Sequence, residues 1–239
     1  FSYNTALGHR SMAETVGAGS NVALGPVSLL ASTFVVDNTV VGDSAMSFAA
    51  NAKNNIALGR SSLGNCNSCS DNIGVGDSSL GSLSLGSNNI ALGGRSLALA
   101  TGANNNIAIG NKALYKGNVG TSGFTNNVVI GPSGAGSLLS TGASHNILIS
   151  NLGATGDQGT IRLGNTTDQT SCFIAGIFGK SSGAGSAVFV NAQGQLGTVS
   201  SSLKYKENIE TLTDSREKIL KLRPVSFNYK TDDQNKKQY

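Results

Sequence analysis

The sequence predicts an all-β chain built as a parallel solenoid, a β-roll or β-helix of stacked coils, and three observations carry that prediction. The first is a fixed period. Asn4, Asn21, Asn38, Asn55, Asn72, Asn89 and Asn106 each follow the last by 17 residues, and each opens a variant of the core Asn-Ile-Ala-Leu-Gly. A period of this length marks repeats that stack on one another. The second is alternation. In Asn55-Ile56-Ala57-Leu58-Gly59 the bulky Ile56 and Leu58 flank the small Ala57, so a short strand sends the two types to opposite faces. The third is what the repeat excludes. Seventeen residues are too few for a helical hairpin, and Gly and Asn are too frequent for helix.

Taken in order, the rod begins at Asn4 and gains two looser copies at Asn127 (after 21 residues) and Asn146 (after 19), the last ending in Ser150 where Gly would stand. Asn and Gly tolerate left-handed backbone, so both ends of each strand are punctuated. A second mark falls four residues past each Gly: Met12, Leu29, Met46, Leu63, Leu80, Leu97 and Leu114, each after a Ser or Ala. Two short strands and two turns per coil fit this spacing. Coils rising about 4.8 Å each give nine of them a length of roughly 40 Å. The bulky strand residues Ile56, Leu58, Ile90, Leu92, Ile107 and Ile109 are expected to line the interior. The asparagines at 55, 72, 89 and 106 are expected to stack as a hydrogen-bonded ladder at one corner. Ala6, Ala23, Ala57, Ala91 and Ala108 would then allow close backbone approach, within the coil or across subunits.

The NNIALG and NNIAIG units resemble the head repeats of trimeric autotransporter adhesins. The resemblance covers about residues 4 to 150 and implies a left-handed parallel β-roll assembled as a homotrimer. It does not name the target bound.

Composition bounds the alternatives. The chain has 239 residues with 5% aromatic and no Trp, so its core must come from thin layers of Ala, Val, Ile and Leu. So lean a core is better buried between coils and between subunits than in a lone globule. Residues 1–200 carry 8 Lys/Arg against 7 Asp/Glu, and residues 201–239 carry 9 against 6. The rod is thus nearly neutral, and without a basic stripe interleaved with aromatics nucleic acid is excluded as a partner. No run of 18 apolar residues suggests membrane insertion. Phe1 at the start points to a fragment or a processed product.

Cys66, Cys69 and Cys172 make no disulfide framework. Cys66-Asn67-Ser68-Cys69 reads first as a pair of loop cysteines in a turn; a local disulfide, or a metal shared around a trimer axis, is the sharper alternative. No cofactor or resident metal is expected. With His only at 9 and 145, a Ser-His-Asp triad has little to draw on, and Asp43 and Asp77 read as turn caps rather than paired glycosidase carboxylates.

From 151 to 200 the pattern shifts to a β-rich connector. Thr160 to Asn165 resembles a repeat with charge on its outer face, and Gln169–Gly179 and Ala187–Val190 are β-prone runs bounded by Gly and Ser. Residues 201–239 have mixed grammar, a short α+β segment. Asp214 and Glu217 make a capping box, Ile219, Leu220 and Leu222 an apolar helix face, Pro224 a stop, and Val225, Phe227 and Tyr229 an alternating strand.

Ser200-Ser201-Ser202-Leu203-Lys204-Tyr205-Lys206-Glu207-Asn208-Ile209, followed by Ile219-Leu220-Lys221-Leu222-Arg223-Pro224-Val225-Ser226-Phe227, resembles the intramolecular chaperone domain of endosialidase-type phage tailspikes and tail fibres. That resemblance implies a domain that trimerises the fibre during folding and then cuts itself off. The matching Ser/Lys dyad is Ser201 and Lys206, with the cut between Ser200 and Ser201 and Lys204 as a competing base. The family domain runs well past a strand like Val225–Tyr229, so the segment here looks like its N-terminal part. A serine hydroxyl needs a base to take its proton, and a lysine serves if burial leaves it neutral.

The combined expectation is a homotrimeric fibre or adhesin for attachment at the surface of a virion or cell, outside the cell, with a glycan or protein receptor. Two alternatives stand beside it. One is a structural filament or spike subunit without a receptor. The other is a single-turnover serine autoprotease precursor.

Overall fold

The structure, a computed structural model, describes residues 3–115, 123–140, 142–165, 167–175, 177, 183, 185–198, 220 and 221. It divides into two compact units, Phe1–Phe173 and Ile174–Tyr239. The first is a parallel β-solenoid, and its described residues are nearly all strand and turn. Its strands are β1 (Thr5–Leu7), β2 (Val22–Leu24), β3 (Thr39–Val41), β4 (Ile56–Leu58), β5 (Ser68–Ser70) and β6 (Ile73–Val75). There follow β7 (Leu85–Ser87), β8 (Ile90–Leu92), β9 (Ile107–Ile109), β10 (Val128–Ile130), β11 (Ile147–Ile149) and β12 (Ile161–Leu163).

Ten of these strands form one parallel sheet in the order β1-β2-β3-β4-β6-β8-β9-β10-β11-β12. Each residue pairs with its repeat equivalent, as Ile90 with Ile107 and Ala91 with Ala108. The expected second strand per coil is mostly reduced to single bridges, such as Val16 with Thr33 and Lys53 with Ser70. Among the described residues only β5 and β7 pair there as a true ladder, with Cys69 opposite Gly86.

The asparagine ladder forms and runs the length of the rod. Asn72 donates from its backbone N–H and its Nδ2 to Asn55 Oδ1 at 3.1 and 3.0 Å, and Asn72 Oδ1 accepts the same pair from Asn89 at 3.0 and 2.9 Å. Its Nδ2 also donates to the Gly86 carbonyl across the coil at 3.0 Å. The chain of amides extends from Asn4 to Asn146, where the Thr160 N–H makes the last bond at 2.9 Å. From Asn21 onward these side chains are buried, so each amide saturates groups that would be costly to leave unpaired. The left-handed corner lies not on the ladder residue but on the one before it: Asp37, Asn54, Asp71, Asn88, Asn105 and Asn126 have φ from 56° to 60°. Those residue types carry that conformation at least cost.

The ladder decides which strand face is inside, and here the sequence expectation is corrected. With the asparagine side chain inward, a period of two sends the next residue out, the central one in and the third out. The lumen is therefore lined by Ala23, Val40, Ala57, Ala91, Ala108, Val129 and Leu148, all with no exposed surface. Ile56, Leu58, Ile90, Leu92, Ile107 and Ile109 stand on the opposite face, partly or largely exposed. The alanines thus allow close approach within the coil. Leu29, Met46, Leu63, Leu80, Leu97 and Leu114 fill the lumen from the turn side, fully buried, each contributing about 1.5–3 kcal/mol.

Two columns of the repeat have steric causes. The glycine ending each core has φ from 130° to 138° between Gly8 and Gly110, and a Cβ on Gly59 would sit 2.6 Å from the Gly76 carbonyl oxygen one coil along. The serine before the buried leucine makes a second inner ladder: Ser62 and Ser79 hydroxyls lie 3.0 Å apart, and Ser62 donates to the Gly74 carbonyl at 3.0 Å.

Cys66 and Cys69 are joined in a disulfide, with Cα atoms 5.5 Å apart and both residues buried. This overturns the reading of two loop cysteines in a turn. The sites are inward positions facing each other across a tight turn, occupied by Ala49 and Ala52 one coil earlier and by Leu83 and Gly86 one coil later. Cys172 is exposed and free.

The sheet continues to β12, where Arg162 pairs in register with the buried Leu148. Arg162 thus takes the inward position and not the outer face expected for it. Its Nε and Nη2 donate to Asp157 Oδ2 and Oδ1, both at 2.7 Å, and Asp157 also accepts from the Ala154 N–H at 2.8 Å. A bidentate pair closes the lumen where the apolar layers end. Hydrogen bonding from Arg162, reinforced by Ala154 and opposed by burial, holds the Asp157 carboxyl below the usual carboxylate range.

In the second unit β13 (Phe189–Val190) and β14 (Leu196–Gly197) form an antiparallel hairpin. Asn191 Oδ1 holds the loop by accepting from the Gln193 and Gln195 N–H groups at 3.0 and 2.9 Å. Over the described part of 169–179 there is no strand. The expected helix at 214–223 and strand at 225–229 lie outside the described residues, except Leu220 and Lys221.

Two outcomes follow. Asn72→Ala strips partners from Asn89 and the Gly86 carbonyl, so guanidinium unfolding should show a loss of about 2–4 kcal/mol, against about 1 kcal/mol for Asn54→Ala at the exposed left-handed corner. The Asp157 pair adds stability that is present above the unfolded carboxylate pKa and lost as pH falls through the lower folded value. Thermal melts taken from neutral pH into acid should show that slope in the parent and a flatter one in Asp157→Asn.

Candidate functional site

Among the described residues, the side of the ten-stranded sheet that faces away from the lumen is the feature left without a partner. Each three-residue strand sends its first and third residues there, one coil above the next. The pairs run from Val22 and Leu24 through Ile73 and Val75 to Ile147 and Ile149 and then Ile161 and Leu163, and only Thr5 and Thr39 interrupt an otherwise aliphatic surface. Ile130 is 37% exposed, Ile149 42% and Ile161 65%. A continuous apolar band over ten strands exceeds what a soluble single chain ordinarily leaves open, and such bands mark interaction surfaces. No charge stands on it.

The rod carries its ion pairs elsewhere. Arg60 bridges to Asp77 one coil along at 2.7 Å, with both side chains exposed. Exposed pairs of that kind contribute little. Among the described residues no group of three His, Cys, Asp or Glu could hold a metal, and no helix is long and apolar enough to cross a membrane.

The dyad read from the sequence, Ser201 and Lys206, lies outside the described residues, as do Ser200, Ser202 and Lys204. The outward aliphatic band was missed as a surface because bulky residues were assigned to the core. The signal that could have found it is the invariant asparagine one position before the strand, whose burial sets the parity.

The comparisons with known proteins bear on the C-terminal segment. The family described as chaperone of endosialidase matches residues 201–239. That is the stretch whose sequence carries the Ser-x-x-x-x-Lys pattern, and the match supports an intramolecular-chaperone segment following a repeat rod. No curated protein and no solved structure matches the chain.

Proposed function

We propose that this chain is a homotrimeric fibre or spike subunit for attachment at a virion or cell surface. In this reading a solenoid rod over residues 1–150, its sheet running on through β12, is joined by a connector over 151–200 to the beginning of a self-processing chaperone at 201–239. The observation that carries the reading is the uncharged aliphatic face of the parallel sheet. Its natural cover is the same face of other copies, since a threefold arrangement brings identical apolar bands together and buries them without a foreign partner. A chaperone segment that aligns three chains suits such a rod, whose identical rungs could otherwise pair out of register. The family match to residues 201–239 is the second support.

Self-processing would proceed through Ser201. Its hydroxyl attacks the Ser200 carbonyl, Lys206 takes the hydroxyl proton and passes it to the departing Ser201 amine, and the C–N bond breaks as the ester forms. Water then hydrolyses the ester, freeing the Ser200 carboxylate and restoring the hydroxyl. Each chain reacts once.

Ile90→Glu places a charge at the centre of the apolar face without touching the lumen. Sedimentation should give three chain masses for the parent at micromolar concentration and a folded monomer for the variant; a monomeric parent, or a variant that still trimerises, counts against the assembly. In a chain extended through the whole family domain, Ser201→Ala and Lys206→Ala should each leave an uncut, still trimeric protein by denaturing gel, whereas Lys204→Ala should cut like the parent. Mixed Ser201→Ala and Lys206→Ala chains that regain cutting would show a dyad shared between subunits.

A further inference from the structure

Two inward columns face each other across the tight turn beside the second strand, and each coil contributes one residue to each. Ala49 and Ala52 are such a pair, Cys66 and Cys69 the next, Leu83 and Gly86 the one after, all buried. The columns fit closely. Where Leu83 fills one, a Cβ added at Gly86 would lie 2.8 Å from the Leu83 Cδ1 and 2.2 Å from the Ala103 carbonyl oxygen. The alanine pair shows that packing alone closes a coil at this place. The cysteine pair in the coil Asn55 to Asp71 therefore brings redox chemistry that the fold does not require.

That chemistry is shut inside the rod. Cys66 is 0% exposed and Cys69 1%. The turn between them is held from both sides by main-chain bonds. From the preceding coil the Ala50 N–H donates to the Cys66 carbonyl at 3.0 Å and the Lys53 N–H to the Cys69 carbonyl at 3.1 Å. Towards the following coil the Asn67 and Ser68 N–H groups both donate to the Ser84 carbonyl, at 3.1 and 2.9 Å. The ladder amide of the same coil closes the inner side: Asn55 Nδ2 donates to the Cys69 carbonyl at 3.1 Å and stands 4.0 Å from Cys66 Sγ.

Making or breaking the bond needs a second molecule at a sulfur. With a small disulfide such as oxidised glutathione as oxidant, one cysteine thiolate attacks it, forms a mixed disulfide and releases one glutathione thiol. The other cysteine thiolate then attacks the first cysteine's sulfur, closes the Cys66–Cys69 bond and releases the second. The pair gives up two electrons and the oxidant takes them; the two thiol protons end on the released glutathiones. Reduction by a dithiol runs the same path backwards. A glutathione-sized group has no room at a position where the adjoining coils hold alanine, leucine or glycine in contact. Every such step therefore waits until the coils part, which breaks the bonds above and the inner layer with them.

We propose that Cys66–Cys69 is a sealed redox latch: the bond forms before the next coil covers it, and the closed rod then preserves it. A rod that carries the bond is one that closed in an oxidising compartment, and it keeps the bond when moved into a reducing one. A rod that closes reduced stays reduced. The latch says where the rod must close, which goes beyond the attachment reading, and it depends on neither trimerisation nor cleavage.

The test uses the whole chain with Cys172→Ser, which leaves the pair as its only cysteines. Chain folded with oxidised glutathione present is treated with dithiothreitol, and chain refolded in reductant and desalted is treated with oxidised glutathione. Free thiols are counted by alkylation and mass. Both reactions should run at least about tenfold slower in the folded chain than in the same chain unfolded in guanidinium. Leu83→Ala, which thins the layer over Cys66, should speed both in the folded chain. A reduced chain that does not close at all also supports a bond made first. Folded rates within tenfold of the unfolded ones, two free thiols in chain folded with the oxidant, or a folded Leu83→Ala with unchanged rates would overturn the proposal; should Leu83→Ala not fold, the folded-to-unfolded comparison decides it.

Discussion

The buried asparagine ladder is the interaction on which the rest of the structure depends. One amide per coil accepts two hydrogen bonds from the next coil and donates to the previous amide and to a carbonyl across the lumen, as Asn72 does between Asn55, Asn89 and Gly86. No other side chain of that size offers donors and acceptor in this arrangement: aspartate loses the donors, and leucine loses both. Because the amide must point inward, the strand that follows has its parity settled before packing is considered. Small central residues then fit the narrow lumen against Leu63, Leu80 or Leu97, and the bulky flanking residues are turned outward. The aliphatic face is thus a consequence of the polar ladder.

That consequence joins the two ends of the chain. A rod whose outer sheet face is aliphatic needs a cover along its whole length, and identical rungs offer many wrong registers with a partner. In the proposed assembly, a terminal segment that gathers chains before the rods zip together would answer both needs, and the family match at 201–239 and the apolar face support that one reading. The closure of the lumen by Arg162 and Asp157 belongs to the same logic. Where aliphatic layers stop, the inward position goes to a charge held by a bidentate partner.

Much of the fold was legible in the sequence. The period of 17, the parallel stacking, the asparagine ladder and the glycine column follow from a pattern repeated in register. Which face is inside was not read correctly, because Ile56 and Leu58 outweigh Ala57 in any rule that equates bulk with burial. The rule fails when a polar side chain is the stronger claimant for the interior. The Cys66–Cys69 disulfide was left among alternatives, since a three-residue separation alone does not say whether both side chains face the lumen. Arg162 was placed outside for the same reason as the isoleucines were placed inside.

The central claim is that the ladder turns position 90 outward, onto a face covered by other copies of the chain. A nitroxide spin label on a cysteine at position 90, with Cys172→Ser to remove the free thiol, measures this directly by dipolar spectroscopy at micromolar protein. The account predicts a single short interchain distance that vanishes on dilution with unlabelled chains. A label that shows no interchain coupling and tumbles freely in solvent would contradict it.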